Sequence, residues 1–129
     1  MNKYPLIAKV ECGLFGIQDD HMEKYLSLDQ YMVSNKSSTF FFRASGESMQ
    51  PFIMPGDIVV VDRSKRVESQ DICIVELEGE LLCKRFIKLG ERGVLRSENP
   101  KFKDVYLTNF REASFFGVVT GISRRFIDL

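Results

Sequence analysis

Ser48 stands two residues after Gly46 in the stretch ASGESMQPF, where an apolar run gives way to a turn. Such a place exposes a hydroxyl, but a serine hydroxyl attacks a carbonyl only when a neighbouring base takes its proton. The chain has a single histidine, His21, which lies among acids in QDDHMEK and reads as a solvated surface residue. Glu47 and Asp57 are near in sequence, yet a carboxylate is a weak base toward a hydroxyl, and both occupy turn-like positions. A lysine serves only when its amine is neutral, and an ordinary lysine, with a pKa of ~10.4, is not. Burial in an apolar place lowers that value. The candidate base is therefore the lysine that the sequence forces into such a place.

Lys84 meets that condition. In LLCKRFI, strand alternation puts Leu82, Lys84 and Phe86 on one face. Glu78-Gly79 separates this segment from ICIVEL as a two-residue hairpin turn. Leu77 then faces Glu80, Val75 faces Leu82, and Cys73 faces Lys84. Opposed residues share a face, so Lys84 is expected among Cys73, Val75, Leu82 and Phe86, with no acid in the ring. The pattern alone leaves open an edge lysine that snorkels its ammonium to water. A Ser–Lys pair is a known way to activate a hydroxyl. The backbone N–H groups of Glu47 and Ser48, at the Gly46 turn, are the candidate donors to an oxyanion.

The elements that must position these two residues are mostly strands. From Thr39 onward the chain alternates short apolar segments with Gly/Pro turns: TFFFRA, IVVVD after the MPGD turn, ICIVEL, LLCKRFI, GVLRS, VYL and FFGVVTGIS. Gly117 and Gly121 in the last of these mark expected bulges. The pattern predicts a mostly-β compact domain over 39–129. Residues 1–38 are mixed and polar and read as an extended, linker-like arm. It holds one short helix, capped by Ser27 with Leu28, Tyr31 and Met32 at helical spacing.

Composition narrows the function classes. Lys+Arg and Asp+Glu number 18 each, so the formal net charge is zero, whereas proteins that ride on phosphate backbones carry a basic excess or patch. The short clusters Arg63/Lys65/Arg66 and Arg124/Arg125 read as solvated faces, and direct nucleic-acid binding is not expected. Three cysteines, Cys12, Cys73 and Cys83, form no CxxC pair, which argues against a disulfide framework or zinc site. No stretch approaches the ~18 apolar residues of a membrane span. The expectation is a cytoplasmic protein with no membrane contact, no cofactor and no metal.

Five segments, ASGESM, PGDIVVVD, GELLCKRF, LRSENPKF and FGVVTGI, resemble in order the successive blocks of the LexA/UmuD family of self-cleaving serine peptidases, S24-like peptidases. The resemblance spans about residues 43–123. It implies a domain of short, strongly bent antiparallel strands with an extended N-terminal arm. It also implies that Ser48 and Lys84, 36 residues apart, are the catalytic dyad. The 38-residue arm is too short for the winged helix-turn-helix of LexA-like repressors and is similar to the arm of UmuD-type proteins, which carries a self-cleavage site. Cys12-Gly13, in VECGLFG, lies 36 residues before Ser48 and matches that site. Gly13 permits close approach to a groove. Without the family blocks, Cys12 reads as an exposed thiol.

The resemblance further implies a homodimer acting in the SOS response to DNA damage. In that role a RecA filament on single-stranded DNA stimulates cleavage. The shortened chain then joins a UmuC-type Y-family DNA polymerase in error-prone translesion synthesis. The alternatives are a non-enzymatic β-domain interaction module with a vestigial dyad, or a LexA-like regulator lacking a DNA-binding domain.

Overall fold

The computed structural model describes residues 2–6 and 24–129. The chain divides into two compact units, Met1–Ser34 and Asn35–Leu129. In the first, β1 (Tyr4–Leu6) and β2 (Lys24–Leu26) pair antiparallel, with Tyr4 opposite Leu26 and Leu6 opposite Lys24. This short antiparallel pairing is an element of the arm that the sequence reading did not place. Helix α1 is a single turn, Leu28–Met32. Ser27 caps it as expected: its backbone is extended and its Oγ accepts from the Gln30 N–H at 3.4 Å.

The second unit holds a seven-stranded antiparallel sheet. Its strands are β3 (Thr39–Arg43), β4 (Ile58–Asp62), β5 (Ile72–Leu77), β6 (Glu80–Leu89), β7 (Arg92–Arg96), β8 (Val105–Leu107) and β9 (Ser114–Ser123). Their order across the sheet is β3-β4-β9-β5-β6-β7-β8. The last strand in sequence thus lies near the middle. The fold is mostly β, compact and antiparallel, with short strands, as the sequence pattern predicts. Two elements escaped that reading: β6 runs for ten residues, and a 3₁₀ turn, Phe110–Glu112, precedes β9.

Side-chain alternation along β5 explains how both faces of the sheet centre are covered. Ile74 points into one cluster with Met49, Ile53, Val59 and Val61. Cys73 and Val75 point into the other with Phe86 and Leu95. A strand buried on both sides reads as a continuous apolar run, which is why IVVVD carries no polar alternation. Strand β9 follows this centre by kinking twice. Its register shifts between Gly121 and Val119 opposite β4, and between Gly117 and Phe115 opposite β5. The skipped residues, Thr120 and Phe116, each immediately precede one of the two glycines marked in the sequence. At Gly117 the glycine is needed for space: a Cβ would lie 2.9 Å from the Asp62 carbonyl oxygen.

Arg124 corrects another sequence reading. It is not part of a solvated face; its guanidinium gives two 2.6 Å hydrogen bonds to the buried Asp57 carboxylate. Asp57 also accepts from the Met54 N–H at 2.8 Å and so closes the MPGD turn. The Arg124 hydrogen bonds, outweighing burial, hold the Asp57 carboxyl below its ordinary pKa.

Candidate active site

Ser48 sits in the turn segment between β3 and β4. Gly46 enters that segment with φ +78°, a left-handed conformation that side-chain-bearing residues resist. The turn then tightens through hydrogen bonds from Gln50 N to Glu47 O (3.2 Å) and from Ile53 N to Met49 O (3.0 Å). Met49 and Ile53 are buried in the core, which anchors the turn from below while Ser48 stays partly exposed. Neither the Glu47 nor the Ser48 N–H donates to an acceptor among the described residues.

Lys84 comes from β6, and the β5–β6 hairpin places it as the sequence predicts. Glu78 and Gly79 both take positive φ, 52° and 83°, the conformation of a two-residue turn that matches strand twist. The register runs Leu77 to Glu80, Val75 to Leu82 and Cys73 to Lys84. Cys73, Val75 and Phe86 are buried, and Leu82 packs against them. Burial lowers the Lys84 pKa below that of an ordinary lysine, with the neighbouring Cys83 acting weakly in the opposite sense. The half-buried amine is thus shifted toward the neutral form that a base requires.

Ser48 and Lys84 line the same cavity, of about 230 Å³. Its apolar lining includes Phe42, Met49, Ile74 and Cys83. Cys83 is a second nucleophile type at this place, but burial pushes its thiol up to about 11, so it stays protonated. Cys73 behind it is pushed up to about 12 by the same cause. Neither thiol is a ready nucleophile at neutral pH. Among the described residues no group of His, Cys, Asp and Glu side chains is arranged to hold a metal, and no helix is long and apolar enough to cross a membrane.

A family model for Peptidase S24-like proteins matches residues 5–120. The chain belongs to the Peptidase S24-like family. Within it, the chain is 39% identical over 125 residues to Protein ImpA of Salmonella typhimurium, covering 94% of this chain and 83% of that protein. Protein SamA of the same species is 37% identical over 102 residues, covering 78% of this chain and 70% of that protein. LexA repressor 2 of Geobacter sulfurreducens is 33% identical over 123 residues; the match covers 94% of this chain and 60% of the repressor. The LexA/UmuD resemblance of the five sequence blocks is this family relationship, and the chain is a UmuD-like member.

Two features of this S24-like site were not visible in the sequence. Both come from the Ser97-Glu98-Asn99 segment that follows β7. The Lys84 Nζ donates to Ser97 Oγ at 2.7 Å. Asn99 grips the Ser48 turn through its backbone N–H to the Ser48 carbonyl (3.0 Å) and its side-chain amide to the Glu47 carbonyl (3.1 Å). Between them, Glu98 pairs with Arg85, the neighbour of Lys84. One tripeptide therefore ties the Ser48 turn to the Lys84 strand. Its only sequence signal was its position within the LRSENPKF block. Cys12, Gly13 and His21 lie outside the described residues.

Proposed function

We propose that this protein is a self-cleaving serine peptidase whose Ser48–Lys84 dyad cuts the Cys12–Gly13 bond. One observation carries the reading: the two residue types a Ser–Lys dyad needs line a single cavity, and the amine there is desolvated. The neutral Lys84 amine takes the Ser48 hydroxyl proton as the oxygen attacks the Cys12 carbonyl carbon. The Glu47 and Ser48 N–H groups receive the resulting oxyanion. The Lys84 ammonium returns the proton to the Gly13 nitrogen as the C–N bond breaks, leaving residues 1–12 as an ester on Ser48. A water molecule, deprotonated by the same amine, hydrolyses that ester and restores the serine.

In this reading the protein acts in the SOS response. A RecA filament on single-stranded DNA promotes entry of the cleavage segment, and the product from Gly13 onward, as a homodimer, joins a UmuC-type Y-family polymerase for translesion synthesis. The Lys84–Ser97 hydrogen bond favours a second reading, an interaction module with an idle dyad, because the amine's bond goes to Ser97 and not to Ser48.

Incubation at alkaline pH, with and without RecA filaments, separates the two. Self-cleavage shortens the chain by twelve residues and exposes Gly13 as a new N-terminus, faster with RecA. Ser48→Ala lowers the rate by at least about a thousandfold, the scale of losing a covalent nucleophile, and leaves the melting temperature unchanged. A wild-type chain that stays intact even with activated RecA sinks the peptidase reading. Co-purification of the shortened chain with a Y-family polymerase checks the partner, and failure of the two to associate removes it.

A further inference from the structure

We propose that Ser97 is a positioning residue for the base: its buried hydroxyl holds the Lys84 amine at the cavity beside Ser48. This rests on the peptidase reading of Ser48 and Lys84 and goes beyond it by assigning a third side chain. Ser97 is 5% exposed, at the end of β7, and its Oγ lies 2.7 Å from Lys84 Nζ. A lysine stem has four rotatable bonds, and the cavity lining is mixed: Phe42, Met49 and Ile74 are apolar, while Ser45, Ser48 and Arg43 are its other polar side chains. Without a partner the amine would sample several rotamers and swing toward water. The Ser97 hydroxyl accepts from the ammonium and donates to the neutral amine, so it holds the group in both protonation states of a catalytic cycle. The same segment holds the nucleophile turn through Asn99. Ser97 therefore sets the amine's place relative to the turn that carries Ser48.

The charged and titratable groups on the surrounding elements are few. They are Arg43 on β3, which lines the same cavity and donates to the Gly56 carbonyl, Cys73 on β5, Cys83 on β6, the Arg85–Glu98 pair, and Glu47 on the Ser48 turn. The two thiols stay neutral at working pH, and Glu98 is engaged by Arg85. The Ser97 hydroxyl is thus the near group that stabilises the ammonium by a hydrogen bond. Its removal leaves desolvation less opposed, and the amine's pKa falls further.

The test has two arms. In the first, self-cleavage is followed against pH in wild type, Ser97→Ala and Ser97→Thr. Ser97→Ala lowers the high-pH plateau between about 10- and 100-fold, the cost of a misplaced catalytic group, and moves the midpoint to lower pH. Ser97→Thr, which keeps the hydroxyl, restores both. In the second arm, the Lys84 amine is titrated by NMR of ¹³C-labelled lysine in a Ser48→Ala background, with and without Ser97→Ala, so that cleavage plays no part. A purely structural role for Ser97 would lower stability and rate together and leave both titrations where they were; an unmoved Lys84 titration overturns the proposal. If no variant cleaves but the Lys84 titration moves with Ser97, the peptidase reading fails and with it the positioning of a base; what stands is only that Ser97 holds the Lys84 amine.

Discussion

Lys84 is both a candidate base and a source of instability. Burial lowers its folded-state pKa below the ordinary lysine value of 10.5 that the unfolded chain retains. Between those two values the unfolded chain binds the extra proton, so stability rises with pH across that window. Below the window the folded protein carries the full cost of a desolvated ammonium. Lys84→Met keeps the aliphatic stem and removes the charge. In a Ser48→Ala background it should melt higher than its parent at neutral pH, with the gap closing as pH rises toward 10.5. Calorimetry at several pH values checks this, and a gap independent of pH would show that Lys84 is not penalised by burial. Lys84→Ala and Lys84→Arg should each abolish self-cleavage at ordinary pH, since guanidinium does not lose its proton there. His21→Ala should leave the pH–rate profile unchanged.

At the scale of elements, strand β9 carries the most constraint. It lies between β4 and β5, and its two kinks let one strand pair with both. Gly117 of β9 sits close against the end of β4: a Cβ there would meet the Asp62 carbonyl oxygen and Val61 Cγ1 at 2.9 Å, and Arg63 Cα at 3.2 Å. Backbone atoms cannot step aside as a flexible side-chain tip does. Gly117→Ala should therefore destabilise by about 2 kcal/mol through overpacking, read as a lower urea midpoint with an unchanged slope. Gly46→Ala gives the contrast. Nothing lies within 4 Å of its Cβ, but φ is +78°, so its cost is backbone strain in the Ser48 turn.

On the scale of the whole molecule, the surface of the second unit offers material for association. Strand β3 is an edge of the sheet, and Phe40 and Phe41 on it are 44% and 61% exposed. Beyond β9, Phe126 and Leu129 are more than 90% exposed. Open strand edges and clustered apolar side chains are the usual ingredients of protein–protein contact. We expect a homodimer at micromolar concentration, seen by light scattering as twice the mass of one chain. A monomer at that concentration would remove the dimer from the proposed function.

Local sequence signals were enough for half of the candidate site. A two-residue turn and a side-chain period of two were enough to place Lys84 opposite Cys73 and among Val75, Leu82 and Phe86, because hairpin register is set by neighbouring residues. The exposed place of Ser48 likewise follows from the glycine and proline around it. The tertiary structure alone decided that these two residues share a cavity, that β9 runs between β4 and β5, and that Ser97 and Asn99 brace the site. Those contacts join residues far apart in the chain: Lys84 with Ser97 at a separation of 13, Asn99 with Glu47 at 52, and Arg124 with Asp57 at 67. Short polar stretches such as Ser97-Glu98-Asn99 carry no hydrophobic period. What such a stretch does depends on which strands the fold sets beside it, and strand order is settled by burial on both faces of the sheet, not by any local signal.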